Sequence, residues 1–284
     1  MRTVVRTSYS MTQWLTGLCA IVVAALSSPA SLQAQTAPAT PACTAPAEFT
    51  RLGHTLTHMA RRLASGEPIT IVAFGSSSTA GAGASSPAAT YPSRLEADLK
   101  TRFPGRTIKV LNRGVGGEDA SEMLARMDRD VAPDRPDLVL WQVGTNAVLN
   151  DHALAGEAPL IREGIRRMKA LGADIVLIDP QYAPRLLDKN HDADGMVRLI
   201  GAEAKAGNIG LFQRSALMRH WRESQGIPFE MLLSPDSLHM NDWSYGCLAR
   251  QLGIAIADAV RSSAMAGGER PRDGKSKQLN HISL

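Results

Sequence analysis

The chain alternates five times between a short apolar segment and a helical pattern, and this alternation limits the folds that it can adopt. The apolar segments cover residues 69–73, 107–111, 137–143, 173–178 and 209–212. They are predominantly apolar, which is typical of parallel strands that are covered on both faces. The pattern predicts an α/β fold, a three-layer α/β/α sandwich around a doubly wound, flavodoxin-like five-stranded parallel sheet with right-handed crossovers.

Helical patterns lie before, between and after these segments. The first is predicted over residues 48–64, and the others over residues 91–103, 118–129, 157–171, 192–206, 217–224 and 242–260. His54 and His58 lie four residues apart on the first helix, a spacing that can bind a metal ion. Because no third ligand is nearby, we interpret them as surface or packing histidines and predict no metal site.

The two ends of the chain differ in composition from its body. Arg2 and Arg6 precede an uncharged apolar run at residues 15–26, which is short for a membrane-spanning helix, and small and polar residues follow it. We therefore predict a signal peptide over residues 1–35, with an N-terminal anchor that stays attached as the alternative. An Ala/Pro/Thr linker over 36–47, one domain over 48–264 and a disordered polar tail over 265–284 follow.

The basic character of the chain resides in its ends. The formal net charge is +4, of which residues 1–35 and residues 265–284 each carry +2, so that residues 36–264 are neutral overall. A nucleic-acid partner requires a basic face on the folded domain, so we predict none. No second apolar run reaches membrane-spanning length, and we predict a periplasmic or secreted protein without stable membrane insertion after signal cleavage. The oligomeric state stays open.

Two cysteines remain after signal cleavage, Cys43 in the linker and Cys247 in the last predicted helix. In an oxidising compartment they could pair, and a disulfide would then attach the N-terminal arm to that helix. Two cysteines alone do not establish the pair.

Polar or glycine-rich loops follow the first three predicted strands. Residues 75–77 (Gly-Ser-Ser) follow the first strand, Gly116-Gly117 the second and Asn146 the third, while Asp236 and His239 lie in a late loop. Parallel strands end at the same edge of a sheet, where α/β proteins place their sites. Acyl transfer needs a hydroxyl nucleophile, a base, a carboxylate that orients the base, and donors for the oxyanion. Separately, each stretch has a structural interpretation as a loop, turn, cap or solvated histidine; together they favour catalysis.

These stretches resemble the motifs of the SGNH, or GDSL-type, hydrolase family of esterases and lipases, in that family's order and spacing over residues 69 to about 260. The resemblance implies the SGNH hydrolase fold, with Ser77 as nucleophile and with Asp236 and His239 as acid and base. It also implies an oxyanion hole formed by Ser77, Gly117 and Asn146.

The chain departs from this family pattern at two positions. The family usually has Asp where this chain has Ser76 and where it has Ala147. The first departure makes Ser76 the alternative nucleophile, and the register with Thr79 and Gly81 favours Ser77.

The resemblance further implies an exported serine esterase that acts through an acyl-enzyme and needs no cofactor. Its expected substrates are short-chain acyl esters, O-acetyl esters in particular, on a glycan or a small molecule. An aromatic content of 5% and the lack of a long apolar lid in the sequence argue against long-chain lipids. Gln181 and Tyr182 either line the pocket or pack within their loop. The alternatives are a lysophospholipase or thioesterase of the same family, and a non-catalytic exported glycan-binding protein.

Overall fold

The computed structural model of the protein describes residues 40–268. It contains one parallel sheet of five strands in the order β2-β1-β3-β4-β5, which confirms the predicted doubly wound sheet. The strands are β1 (Ile69–Gly75), β2 (Ile108–Gly114), β3 (Leu138–Gln142), β4 (Asp174–Ile178) and β5 (Gly210–Phe212). The central strand β3 is buried along its whole length, whereas the edge strand β2 is largely half-buried or exposed. Continuous apolar character is therefore strongest where helices cover both faces.

Helices form the layers on the two faces of the sheet. They are α1 (Ala47–Thr50), α2 (Thr57–Ser65), α3 (Ser77–Ala80), α4 (Tyr91–Arg102), α5 (Ala120–Asp130), α6 (Thr145–Leu149), α7 (Leu154–Ala170), α8 (Pro184–Leu187), α9 (Asn190–Ala206), α10 (Arg214–Arg219), α11 (Phe229–Leu232) and α12 (Asp242–Gly268). The long helix α12 packs against α2 and α4, and α7 packs against α5 and α9. These two groups complete the predicted three-layer sandwich, and their apolar faces form one core with the strands.

The strand register brings the loops that follow β1, β2 and β3 to one edge of the sheet. Gly75 at the end of β1 lies opposite Gly114 at the end of β2, and Phe74 lies opposite Trp141 on β3. The chain passes from β1 to β2 on one side and later returns to β3 on the other. In doubly wound sheets this reversal leaves a crevice beyond the carboxyl ends of the strands.

The prediction of one helix over residues 48–64 is wrong, because the structure divides this region into α1 and α2. Gly53 adopts a φ of 70° between them, a conformation that glycine enters without a steric penalty. The Leu52 carbonyl accepts a hydrogen bond from the Leu211 N–H of β5, at 3.0 Å. Pairing with a strand that lies far away in the sequence therefore competes with the helical hydrogen bond.

The last helix is longer than its sequence pattern predicts. Helix α12 continues past residue 260 to Gly268, into the predicted polar tail. The remaining tail, residues 269–284, and the predicted signal peptide, residues 1–35, lie outside the described residues. No helix within residues 40–268 is both long enough and apolar enough to cross a membrane.

A disulfide joins the N-terminal arm to α12. Cys43 and Cys247 are bonded, with their Cα atoms 5.4 Å apart. The indole of Trp221 donates to the Thr44 carbonyl at 3.0 Å, and Gln251 Nε2 donates to the Cys43 carbonyl at 3.1 Å. The part of the arm next to the cysteine is therefore fastened to the domain by covalent and polar contacts.

Candidate active site

The chain turns sharply from β1 into α3, and this turn presents Ser77. A Cβ atom at Gly75 would overlap the side chains of Thr79 and Gln142, so that glycine alone fits there. The Ser76 carbonyl accepts the N–H groups of Thr79 and Ala80, at 3.0 and 2.9 Å, which closes the first turn of α3. Ser77 is the first residue of α3, so its own N–H stays outside the helical hydrogen bonds.

The two adjacent serines point to different partners. Ser76 is buried, and both its N–H and its hydroxyl donate to Gln142 Oε1, at 3.0 and 3.1 Å. The Ser77 hydroxyl lies 2.7 Å from His239 Nε2. Of the two candidate nucleophiles, Ser77 is therefore the one with a base within hydrogen-bond distance.

The loop between α11 and α12 holds Asp236 and His239 against each other. His239 Nδ1 lies 2.5 Å from Asp236 Oδ2. The other carboxylate oxygen accepts the N–H groups of Leu238 and His239, at 3.0 and 2.9 Å, and the Ser234 hydroxyl at 2.8 Å. Ser237, at the tip, has a φ of 57°. Because only two residues separate Asp236 from His239, the carboxylate can bond both the imidazole and the backbone N–H groups of the same tight turn.

These contacts keep Asp236 ionised. Burial opposes ionisation, but the hydrogen bonds from His239, Ser234 and Leu238 more than offset it and lower the pKa of Asp236 well below its usual value. A carboxylate at this position favours the Nδ1–H form of the imidazole, which leaves Nε2 free to accept a proton from Ser77.

Gly117 lies on the loop that follows β2, and Asn146 lies in the first turn of α6, which follows β3. A Cβ at Gly116 would come within 3.9 Å of Ser77 Cβ, and Gly117 has a φ of 84°. Asn146 Nδ2 donates to the Glu118 carbonyl at 2.7 Å, which ties the start of α6 to the loop after β2. Within the described residues the Gly117 N–H has no hydrogen-bond partner. The structure thus brings Ser77, His239 and Asp236 into direct contact, places Gly117 next to a glycine that faces Ser77, and joins Asn146 to the same loop after β2.

Three other polar residues lie around the site. Gln142 was not assigned a role from the sequence, whereas Gln181 and Tyr182 were left open between lining the pocket and packing within their loop. Gln142 orients Ser76, and the only signal for it was one amide within an otherwise apolar strand. Gln181 is buried and bridges two loops, since it accepts from the Thr145 hydroxyl at 3.0 Å and donates to the Leu238 carbonyl at 3.5 Å. Its hydrogen bonds therefore support the loop that carries His239, in agreement with the packing interpretation. The Tyr182 ring is half-buried, and its hydroxyl donates to Glu223 at 2.5 Å.

The site is open at the surface. The side chain of Asp236 is 42% exposed and that of His239 is 14% exposed. A cavity of about 360 Å³ borders the same loop and is lined by Phe229, Glu230, Leu233, Ser234, Pro235 and Ser237. Two larger cavities, about 530 and 480 Å³, involve none of the five site residues. The triad therefore lies at the surface and outside both of these larger cavities.

The two histidines of the first predicted helix have no place in this site. His58 lies on α2, and its Nε2 lies 2.9 Å from Asp137 Oδ1 near the other end of the sheet. In residues 40–268 no group of three or more His, Cys, Asp or Glu side chains is arranged to hold a metal ion.

The model of one known protein family matches most of this chain. The Non-GDSL lipase-like family matches residues 42–262. The chain belongs to this family. Membership confirms the resemblance to SGNH/GDSL-type esterases and lipases, and with it the class of carboxylic ester hydrolase. No curated protein sequence matches the chain.

Solved structures share the fold at low sequence identity. An acetyl-xylooligosaccharide esterase from Geobacillus stearothermophilus is 21% identical, with a TM-score of 0.58, over 66% of this chain and 94% of that one. A two-domain esterase active on acetylated mannans is 19% identical, with a TM-score of 0.62, over 75% and 57%. A lipase/acylhydrolase from Enterococcus faecalis is 22% identical, with a TM-score of 0.58, over 67% and 96%.

Other structures of the Geobacillus esterase are catalytic mutants in which a serine, an aspartate or a histidine is replaced by alanine. In that esterase the replaced aspartate precedes the replaced histidine by three positions. Asp236 and His239 have the same spacing in this chain.

Proposed function

We propose that the protein is an exported serine esterase that hydrolyses short-chain acyl esters, O-acetyl esters in particular, on carbohydrate. The observation that carries the proposal is the unbroken series of contacts from Asp236 through His239 to the Ser77 hydroxyl, at 2.5 and 2.7 Å. The same order of acid, base and nucleophile contacts defines the serine-hydrolase triad on unrelated folds.

The reaction proceeds through an acyl-enzyme. Ser77 Oγ attacks the ester carbonyl carbon while His239 Nε2 takes the hydroxyl proton. The tetrahedral intermediate then collapses, the bond to the leaving alkoxide breaks, and His239 returns the proton to the departing oxygen. Water, deprotonated by His239, attacks the acyl-enzyme and releases the carboxylic acid and free Ser77.

Three donors stabilise the negative charge that develops on the carbonyl oxygen. They are the N–H groups of Ser77 and Gly117 and one amide hydrogen of Asn146. Its other amide hydrogen bonds the Glu118 carbonyl. Asp236 stays ionised and stabilises the imidazolium that forms at His239. Each member of the set therefore has one electrostatic task in the transition state.

Three observations support the carbohydrate substrate and export. Two of the similar structures are esterases of acetylated xylooligosaccharides or mannans. The triad lies at an open surface, which suits an ester carried by a large glycan. The Cys43–Cys247 disulfide suits an oxidising compartment, in agreement with the signal peptide predicted over residues 1–35.

Esterase assays test this function directly. The protein lacking residues 1–35 should hydrolyse p-nitrophenyl acetate faster than p-nitrophenyl octanoate, should be insensitive to EDTA, and should release acetate from acetylated xylan or mannan. The Ser77→Ala variant is the matched control and should release none. Preference for octanoate would favour the lysophospholipase or thioesterase alternative. Binding of glycan without turnover of any ester would favour the non-catalytic glycan-binding protein and would contradict the proposal.

A further inference from the structure

Arg126 is a buried cation that lies close to the candidate oxyanion hole. It projects from α5, has 5% of its surface exposed, and uses all three guanidinium nitrogens. Nη2 donates to the Gly75 carbonyl at 3.1 Å, Nε to Glu118 Oε2 at 2.6 Å, and Nη1 to Asp130 Oδ2 at 3.1 Å. The guanidinium carbon also lies 4.4 Å from the centre of the Phe74 ring.

Two of these partners belong to the loops that carry the site. The Gly75 carbonyl, one residue before the Ser76-Ser77 turn, also accepts the Val115 N–H at 3.0 Å. The backbone carbonyl of Glu118 accepts the Asn146 amide at 2.7 Å. One side chain therefore joins the exits of β1 and β2 and, through Glu118, the exit of β3.

The guanidinium is the group that can make these contacts together. It is planar, it stays charged when buried, and its donors diverge in a fixed fork, whereas the ammonium of lysine is a point charge on a flexible stem. The carboxylates of Glu118 and Asp130 compensate the buried charge. Without the guanidinium, Glu118 would lose its hydrogen bond to Arg126. The Asn146 amide, which bonds the Glu118 carbonyl, could then rotate.

We propose that Arg126, acting through Glu118, is a positioning residue that sets the Asn146 amide in the oxyanion hole. The inference rests on the proposed esterase function. An oxyanion donor contributes most when its direction is fixed before the reaction, and a displacement of about 1 Å can cost on the order of 10²-fold in rate. Arg126 thus influences the rate of the chemical step without touching the substrate.

A double-mutant cycle tests this role. Arg126→Lys should lower kcat for p-nitrophenyl acetate by about 10–100-fold with little change in KM. In an Asn146→Ala background the same substitution should cost less than about threefold, because the donor that it positions is absent. Arg102→Lys, which breaks a bidentate arginine–carboxylate pair with Asp98 within α4, is the control and should leave kcat unchanged.

The relative rates with an oxygen ester and a thiono ester give a second test, because this ratio should not change if Arg126 only stabilises the fold. A thiono ester carries sulfur in place of the carbonyl oxygen and accepts hydrogen bonds weakly, so a well-positioned oxyanion hole favours the oxygen ester. Arg126→Lys should lower the ratio of oxygen-ester to thiono-ester rates, and Ser77→Ala should remove both activities. If Arg126→Lys does not fold, as judged by circular dichroism, Glu118→Gln takes its place in the same cycle.

The possible outcomes separate the inference from the function on which it rests. Equal losses from Arg126→Lys in both backgrounds, or an unchanged rate ratio, would overturn the positioning role while wild-type turnover still supports the esterase. Absence of ester turnover in the wild type would overturn the esterase and the positioning role together.

Discussion

Ser76 and Ser77 show how neighbouring identical side chains acquire different roles. Both follow the same strand, and the sequence register alone favours Ser77. The turn at the end of β1 directs the Ser76 hydroxyl into the protein toward Gln142 and the Ser77 hydroxyl toward His239. The direction of a side chain at a sharp turn, and not its chemical type, therefore distinguishes a supporting serine from a candidate nucleophile.

The two serines give a matched pair of variants. Ser77→Ala should lower kcat for p-nitrophenyl acetate by about 10⁴–10⁶-fold, because the triad loses its nucleophile and only binding and the oxyanion hole remain. Ser76→Ala should cost less than about tenfold, since its N–H still bonds Gln142. A serine-directed phosphonate should label Ser77, as mapped by peptide mass spectrometry. Labelling of Ser76, or full activity of Ser77→Ala, would contradict the assignment.

Asp179 is a buried carboxyl group whose titration affects stability. It follows β4, has 1% of its surface exposed, and accepts the Ser215 N–H at 2.9 Å. Burial raises the pKa of Asp179 to about 7, against the opposing effects of hydrogen bonds from the backbone and of the Arg214 charge. Its usual value in an unfolded chain is about 3.9. The folded state thus holds the proton over a range in which the unfolded state has lost it.

This raised pKa has a defined consequence for pH dependence. The contribution of Asp179 to stability is present in full below about pH 4 and is lost as the pH rises toward about 7. Asp179→Asn keeps the acceptor for Ser215 and removes the titration. The free energy of unfolding of the variant, relative to wild type, should therefore increase between pH 4 and pH 7.5, by about 1–3 kcal/mol. Urea unfolding at both pH values measures this difference, with the exposed Asp188→Asn as control; a constant difference would contradict the prediction.

The N-terminal arm is attached to segments that lie far from it in the sequence. The arm next to Cys43 is bonded to α12 by the disulfide and to Trp221 by a hydrogen bond. The bonded cysteines lie 204 residues apart, so their bond closes a loop that contains nearly the whole domain. Such a long loop restricts the unfolded chain strongly.

Removal of this disulfide should destabilise the fold. The paired substitution Cys43→Ser and Cys247→Ser, or reduction of the wild type, should lower the free energy of unfolding by about 2–5 kcal/mol. Urea titration followed by tryptophan fluorescence measures the loss, since Trp221 contacts the arm. The doubly substituted protein should not respond to a reducing agent, which controls for effects of the reductant. An unchanged midpoint on reduction of the wild type would show that the disulfide does not stabilise the fold.

The whole molecule explains why weak local motifs form one site. Ser77 and His239 are 162 residues apart, yet their side chains are in hydrogen-bond contact. The parallel sheet brings the ends of β1, β2 and β3 to one edge, and the loop before α12 returns to the same edge. Because all five strands run parallel, their carboxyl ends share one edge, and this convergence follows from the topology. The domain as a whole therefore acts as the scaffold for four separate loops.

The sequence by itself determined the order of the five strands, the long helices between and after them, the parallel sheet and the five candidate site residues. These depend on local information, because hydrophobic periodicity, glycines and turn residues act within a few positions of each other. The resemblance to known hydrolases then related the separate loops to one chemistry. Helix boundaries were less well determined, as the continuation of α12 to Gly268 shows.

Only the tertiary structure decided which groups meet. It divided the helix predicted over residues 48–64, because the Leu52 carbonyl bonds to β5, and it paired Cys43 with Cys247. It turned Ser76 away from His239 and placed Arg126 between two loops. The physical reason is the same in each case. A hydrogen bond or a packing contact selects its partner by direction and distance in space, and those are settled only when segments far apart in the chain pack together.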